Sequence, residues 1–259
     1  MNIFLYDGTF EGFLSAVFYA YARKVFPNKI CGNNLFQKDM FAEEFTVYTN
    51  TEYAQRVWNG IEKKASKFIC QKVFRVFLSE MADVEMLLFD YIKLTFGSRF
   101  SIDEDYSNST VLEFNNIYKK VTREAQKVVM FVRFQKTADD IYFAPFDPAY
   151  NVLSLTINHF KERFADQQWV IYDTRRNYGF YYNLHDVEEV RISDSNINFF
   201  TGKVNKDAMD DSELNFQEIW NCYYQSTTIK ERKNLKLHKQ FLPKRFWKYL
   251  PEKNFLEYR

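Results

Sequence analysis

Three groups of residues in this 259-residue chain have types and spacings that can do chemistry. The first is Asp7-Gly8-Thr9, where the apolar run Ile3-Phe4-Leu5 stops and apolar residues at helical spacing begin. A carboxylate at a strand end, ahead of a helix N-terminus, is where many α/β proteins hold ligands. The same residues make a sharp turn in which Gly8 takes positive φ and Thr9 caps the helix, and turn and cap is the role expected. The second group is Arg175-Arg176-Asn177 with Tyr178, between two strand-like runs. A guanidinium binds phosphate through two parallel hydrogen bonds and an aromatic face accepts any base, although a polar turn explains the same residues equally well. The third is Lys230 to Lys248, with eight cations (Lys230, Arg232, Lys233, Lys236, Lys239, Lys244, Arg245, Lys248) against the single acid Glu231. Phe246, Trp247 and Tyr249 interleave stacking surfaces among them, a pattern that fits a polyanion such as nucleic acid.

Conventional catalytic groups are sparse. The three histidines, His159, His185 and His238, have no metal-ligand spacing, and no phosphate loop, dinucleotide fingerprint or nucleophile elbow is present. His159 lies in an apolar helical pattern and reads as a core histidine. With Asp7 and Asp173 it makes up the catalytic candidates for an enzyme acting on a nucleobase or nucleotide. No metal and no cofactor is expected.

The elements that position these groups follow from hydrophobic spacing. Residues 2 to 6 read as a buried strand, and Phe10, Phe13, Leu14, Val17, Phe18 and Tyr21 recur as one face of a helix of about four turns. From Thr51 to Gly97 the pattern stays helical, with a further strand at Phe45 to Tyr48. A cap-rich stretch, Ser107 to Thr110, precedes another helix through Val121, Ala125 and Val128. Then come five short aromatic and β-branched runs, at 130–136, 140–146, 168–173, 178–183 and 187–192, which predict an antiparallel sheet crossed by a helix within 148–165. From Ser212 onward the chain is helical again. The expected fold is α+β, with a mostly helical lobe at 1–106 that carries one short parallel or edge strand, packed on the antiparallel sheet of an α+β lobe at 107–259 that ends in the basic helical tail.

Composition limits the function classes. Aromatics are 19% of the chain, so there is ample apolar surface to bury, and seven Gly and five Pro leave no flexible linker. With a net charge of +1, attraction to a polyanion has to come from local clustering. Cys31, Cys70 and Cys222 lack any paired spacing, which argues against disulfides and zinc knuckles and for a reduced, cytoplasmic protein. Charges interrupt every apolar run well short of the roughly 20 residues that a membrane span needs.

Three sets of residues stand out together: Tyr6-Asp7-Gly8-Thr9-Phe10-Glu11-Gly12, the set His159, Phe160, Arg163, Phe164, Gln168 and Trp169, and Glu231-Arg232-Lys233-Asn234 with Leu242-Pro243, Arg245 and Trp247. Together they resemble a bacterial family assigned to DNA metabolism, whose C-terminal two-thirds is a domain of unknown function. The resemblance covers essentially the whole chain. It implies work on DNA beside a radical-S-adenosylmethionine protein, and many members of the family carry a uracil-DNA glycosylase-like domain. The Gly-Glu-x-Pro-Gly glycosylase motif is not found here, so that activity is not expected. Where the family has Arg-Glu-x-His-Arg, this sequence reads Arg123-Glu124-Ala125-Gln126-Lys127, which assigns that position a structural or binding role.

The leading expectation is a DNA-binding accessory protein of a repair or modification system, presenting DNA to a separate catalytic partner. The partners it implies are DNA, the radical-S-adenosylmethionine protein and a uracil-DNA glycosylase-like protein. Its DNA contacts would be Arg175, Arg176, Tyr178, Lys230, Arg232, Lys233, Lys244, Arg245, Trp247 and Lys248. The alternatives are the nucleobase enzyme around Asp7 and a protein-interaction module with a basic docking tail.

Overall fold

The computed structural model describes residues 1–32, 42–192, 197–198, 203–204 and 208–254. The chain forms two compact units, Met1–Arg123 and Glu124–Arg259.

The first unit opens with β1 (Asn2–Tyr6), α1 (Phe10–Arg23), β2 (Lys29–Gly32) and β3 (Glu43–Thr46). These strands form a parallel sheet in the order β2-β1-β3. Ile3, Phe4 and Leu5 are buried in the central strand, as their unbroken apolar run requires. The sequence reading missed β2, which has four residues and only two apolar side chains, too short to show a period. The strand expected at 45–48 lies slightly earlier, as β3.

Four helices follow: α2 (Thr51–Lys64), α3 (Lys67–Phe77), α4 (Val84–Gly97) and α5 (Ser109–Phe131), the last running on into the second unit. Asn50 and Ser66 cap α2 and α3 through backbone N–H groups three residues on. In the cap-rich stretch before α5, Asn108 Oδ1 accepts from the N–H groups of Thr110 and Val111 at 2.9 and 3.3 Å. The helices of this unit close around a buried ion pair. Lys72, 6% exposed, donates to both oxygens of Asp103 at 2.7 and 2.8 Å and to Asn115 Oδ1 at 2.8 Å. Tyr91, stacked on Phe114 with ring centres 3.7 Å apart, donates to Asp103 at 3.3 Å.

The second unit carries a five-stranded sheet, in the order β4 (Gln135–Lys136), β5 (Tyr142–Phe146), β6 (Trp169–Asp173), β7 (Tyr178–Tyr182), β8 (Val187–Val190). The α+β class is therefore as read from sequence, with helices at both ends and this sheet between them. Two details differ. Met130 and Phe131 complete α5, so the first strand shrinks to two residues. And β5 pairs with β6 in parallel, because the connection between them holds α6 (Ile157–Arg163) and returns the chain to the same end of the sheet. The ladder is mixed, with antiparallel pairs at β4–β5, β6–β7 and β7–β8. Beyond it, β9 (Ile197–Asn198) pairs with β10 (Lys203–Val204).

The chain then runs through α7 (Glu213–Thr227), α8 (Leu235–Phe241), a 3-10 run at Lys244–Tyr249 and α9 (Pro251–Asn254). Helix α7 is inverted in polarity. Its inward line is Glu213, Gln217, Asn221 and Tyr224, whereas Leu214, Phe216, Ile219 and Tyr223 are exposed. Among the described residues no helix is long and apolar enough to cross a membrane.

The ion pair in the first unit makes a stability test. Removing one partner of a buried pair strands the other charge in the core, so Asp103→Ala should cost about 3 to 5 kcal/mol in chemical denaturation, whereas replacing the pair with Lys72→Met and Asp103→Leu together should cost much less.

Candidate functional site

Asp7 follows the end of β1, and its carboxylate is the organiser of a turn. Oδ1 accepts from the Thr9 amide at 2.9 Å and the Thr9 hydroxyl at 2.7 Å, while Oδ2 accepts from the Thr49 hydroxyl at 2.6 Å. Thr9 Oγ1 in turn accepts from Gly12 N at 3.0 Å, capping α1. Gly8 turns the chain at φ +85°, and a Cβ on Gly12 would collide with Asp7 Oδ1. Partial burial pushes the Asp7 carboxyl up, but the hydrogen bonds from Thr49 and Thr9 outweigh it and hold the group below its ordinary value. A hollow of about 340 Å³ opens nearby between α1 and the segment joining β3 to α2. Thr49, Tyr48 and Tyr53 line it; Asp7 does not. The turn-and-cap geometry expected of Asp7-Gly8-Thr9 is the one found.

In the second unit the parallel strands β5 and β6 end side by side, at Phe146 and Asp173. Asp173 is fully buried and accepts from the N–H groups of Arg175 and Arg176 at 2.9 and 3.1 Å and from the Arg176 guanidinium at 2.8 Å. Burial raises its pKa against the opposing pull of Arg176. Arg176 also donates to the carbonyl of Pro148 at 3.2 Å, and Arg175, which is exposed, donates to that of Ala149 at 3.2 Å. Tyr178 donates to Asn151 Oδ1. The Asp173–Tyr178 turn is thus fastened to the segment that follows β5. His159, expected in the core, is instead exposed on α6, its ring edge-on to Phe160 at 5.3 Å.

The basic tail divides in two. Arg245 is paired with Glu124, 3% exposed, at 2.5 and 2.7 Å, and Lys248 with Asp147 at 3.1 Å. The pull of burial on Lys248 is outweighed by its hydrogen bonds with Tyr249 and Asp147, which raise its pKa. Trp247 is half-buried and donates to the Leu242 carbonyl at 3.1 Å. The remaining six cations, Lys230, Arg232, Lys233, Lys236, Lys239 and Lys244, are exposed and have no ion-pair partner among the described residues. On α8, Lys236 and Lys239 share one face, while Leu235, His238 and Phe241 share the other and line a groove of about 650 Å³. Arg232 and Lys233 stand at that groove, and Lys253, 8% exposed, lies within it.

Sequence reasoning missed Glu124, Asp147 and Lys253. Glu124 sits in the segment singled out for its absent histidine, but nothing local distinguishes a buried glutamate from a solvated one on α5. Lys253 falls just outside the basic run.

Two substitutions follow. Arg245→Ala leaves the buried Glu124 carboxylate short of its main partner and should cost about 3 kcal/mol in chemical denaturation, whereas Lys244→Ala should stay within about 0.5 kcal/mol of wild type. Thr9→Ala, which removes the cap of α1, should cost on the order of 1 kcal/mol by the same measurement.

No curated protein matches the chain. A family model described as a domain of unknown function, DUF4130, matches residues 82–252, which take in α4, α5, the whole five-stranded sheet and the basic tail. More than half of the chain is covered, and it belongs to the DUF4130 domain-of-unknown-function family.

Proposed function

We propose that the protein binds DNA through its C-terminal unit, as an accessory of a repair or modification system that acts with a separate catalytic partner. One observation carries this reading: six cations gathered between Lys230 and Lys244 are exposed and unpaired among the described residues, in a chain whose net charge is only +1. Unpaired cations on a fixed scaffold release counterions when phosphate replaces solvent, which is the main source of affinity for DNA irrespective of sequence. Arg245 and Lys248 belong to the scaffold, since their charges are spent on Glu124 and Asp147. Arg176 is committed to Asp173 in the same way, and Arg175 stays exposed at the rim of the β6–β7 turn. The resemblance to a family assigned to DNA metabolism agrees with this reading, and a radical-S-adenosylmethionine protein or a uracil-DNA glycosylase-like protein is the kind of catalytic partner it implies.

The enzyme reading has less support. Both carboxylate oxygens of Asp7 already accept hydrogen bonds from threonine hydroxyls, and neither Asp173 nor His159 lines either of the two hollows described.

Reversing charge at Lys236, Lys239 and Lys244 should weaken DNA binding without lowering Tm. It should also flatten the plot of log affinity against log salt by roughly 0.7 to 0.9 for each phosphate that the variant no longer neutralises. Titrating labelled single- and double-stranded oligonucleotides across a salt series reads both quantities. A wild-type protein with no salt-dependent affinity for either would refute the proposal.

A further inference from the structure

The groove beside α8 is built differently from a phosphate-binding surface. Its floor is apolar, formed by Met130, Phe131, Leu237, Phe241, Leu242 and Trp247. It is open along its length: Leu235, Leu237 and Phe241 are 55%, 50% and 64% exposed. Among the described residues no acidic side chain lines it, although Arg232 and Lys233 stand at its edge. Within it lies a buried ammonium. Lys253 Nζ donates to Tyr224 Oη at 2.7 Å and sits over the rings of Tyr224 and Trp247, 4.8 and 5.7 Å from their centres, with no carboxylate partner among the described residues. The neighbouring Glu252 is committed elsewhere, to Arg133 and the Trp220 indole. His238 Nε2 is likewise buried at the groove and without a hydrogen-bond partner among the described residues. Burial and the nearby Lys253 and Lys233 lower the His238 pKa.

We infer that this groove docks an amphipathic helix of a partner protein whose apolar stripe is flanked by glutamate or aspartate. An open apolar trough takes the i, i+3/i+4, i+7 stripe of such a helix. A carboxylate from it supplies the anion that the Lys253 ammonium lacks among the described residues, and further acids meet Arg232 and Lys233 at the edge. A nucleobase fits less well, because the Tyr224 and Trp247 rings already carry the ammonium. The inference does not rest on DNA binding. Lys236 and Lys239, on the opposite face of α8, are outside the groove lining.

The test uses a fluorescein-labelled peptide of about 18 residues, with leucine at the stripe positions and glutamate on the flanks, and twins carrying lysine or glutamine in place of glutamate. Fluorescence polarisation on the full chain should show the glutamate peptide binding about tenfold or more tightly than the lysine twin, with added salt weakening it. Leu237→Glu should weaken the glutamate peptide about tenfold or more. Leu237 is half-exposed, so the fold should survive, which circular dichroism and Tm verify. Lys253→Met should weaken the glutamate peptide about tenfold and leave the glutamine twin nearly unchanged. Equal affinity for the glutamate and lysine peptides, no binding of the glutamate peptide, or indifference to Leu237→Glu would each overturn the inference. Loss of DNA affinity in Leu237→Glu would assign the groove to nucleic acid. Loss of a concentration-dependent dimer in that variant, measured by sedimentation, would assign it to a second copy of the chain. DNA binding through the other face of α8 is read separately, so either proposal can fail alone.

Discussion

A buried carboxylate organises the C-terminal unit. Glu124 projects from α5 with 3% of its surface exposed, receives Arg245 from the 3-10 run at 2.5 Å and accepts the amide of Ala149 at 2.8 Å. One side chain therefore joins the helix that enters the unit, the segment leaving β5 and the tail that closes the chain. Desolvating a charge is tolerable only when hydrogen bonds surround it, and here the surrounding groups come from elements far apart in sequence. Asp173 with Arg176 repeats the arrangement beside the same segment, residues 147–149, where the half-buried Asp147 pairs with Lys248. Phe146 stacks on Phe246 with ring centres 4.7 Å apart and seals the apolar side. The tail thus has an anchored half and a free half. Its ion-paired cations hold the 3-10 run in place, and that rigidity lets the others present a fixed pattern of charge.

What was legible in the sequence follows from the range of the interactions involved. The strand at 2–6, the Thr9 cap, the helix through Val121, Ala125 and Val128, and the runs that became β5 to β8 are governed by spacing within one element, which local patterning reports. The parallel sense of β5 and β6 depends on where the chain travels between them. The strand runs themselves have the same composition whichever way they point, so direction was hidden. Charge posed the same difficulty at the site. Arg232 and Arg245 look alike in a string of basic residues, and only the distant Glu124 separates a surface cation from a structural one. The Asp7 turn was readable because all of its partners except Thr49 lie within five residues.

The N-terminal unit solves a related problem with another charge pair. A three-stranded parallel sheet of four- and five-residue strands offers little ladder, so the helices carry most of the burial. Lys72 is buried there and Asp103 partly so, and Asn115, which accepts from Lys72, donates to the carbonyls of Asp103 and, on α5, Val111 at 3.0 and 3.1 Å. Fully satisfied polar groups in a core add direction to an otherwise non-directional apolar interior.

The parallel pair in the mixed sheet also sets an order of assembly. Strands β6 and β7 are joined by the four residues 174–177, whereas β5 reaches β6 only across the 22 residues 147–168. On loop-closure entropy alone, the longer connection costs about 1.5 kcal/mol more to close. The β6–β7–β8 meander is therefore the part of the sheet that forms at least entropic cost, and β5 docks onto a template already in place. The Arg176 bond to the Pro148 carbonyl joins the β6–β7 turn to the segment after β5, so it closes only with that docking and acts as a latch on the finished sheet.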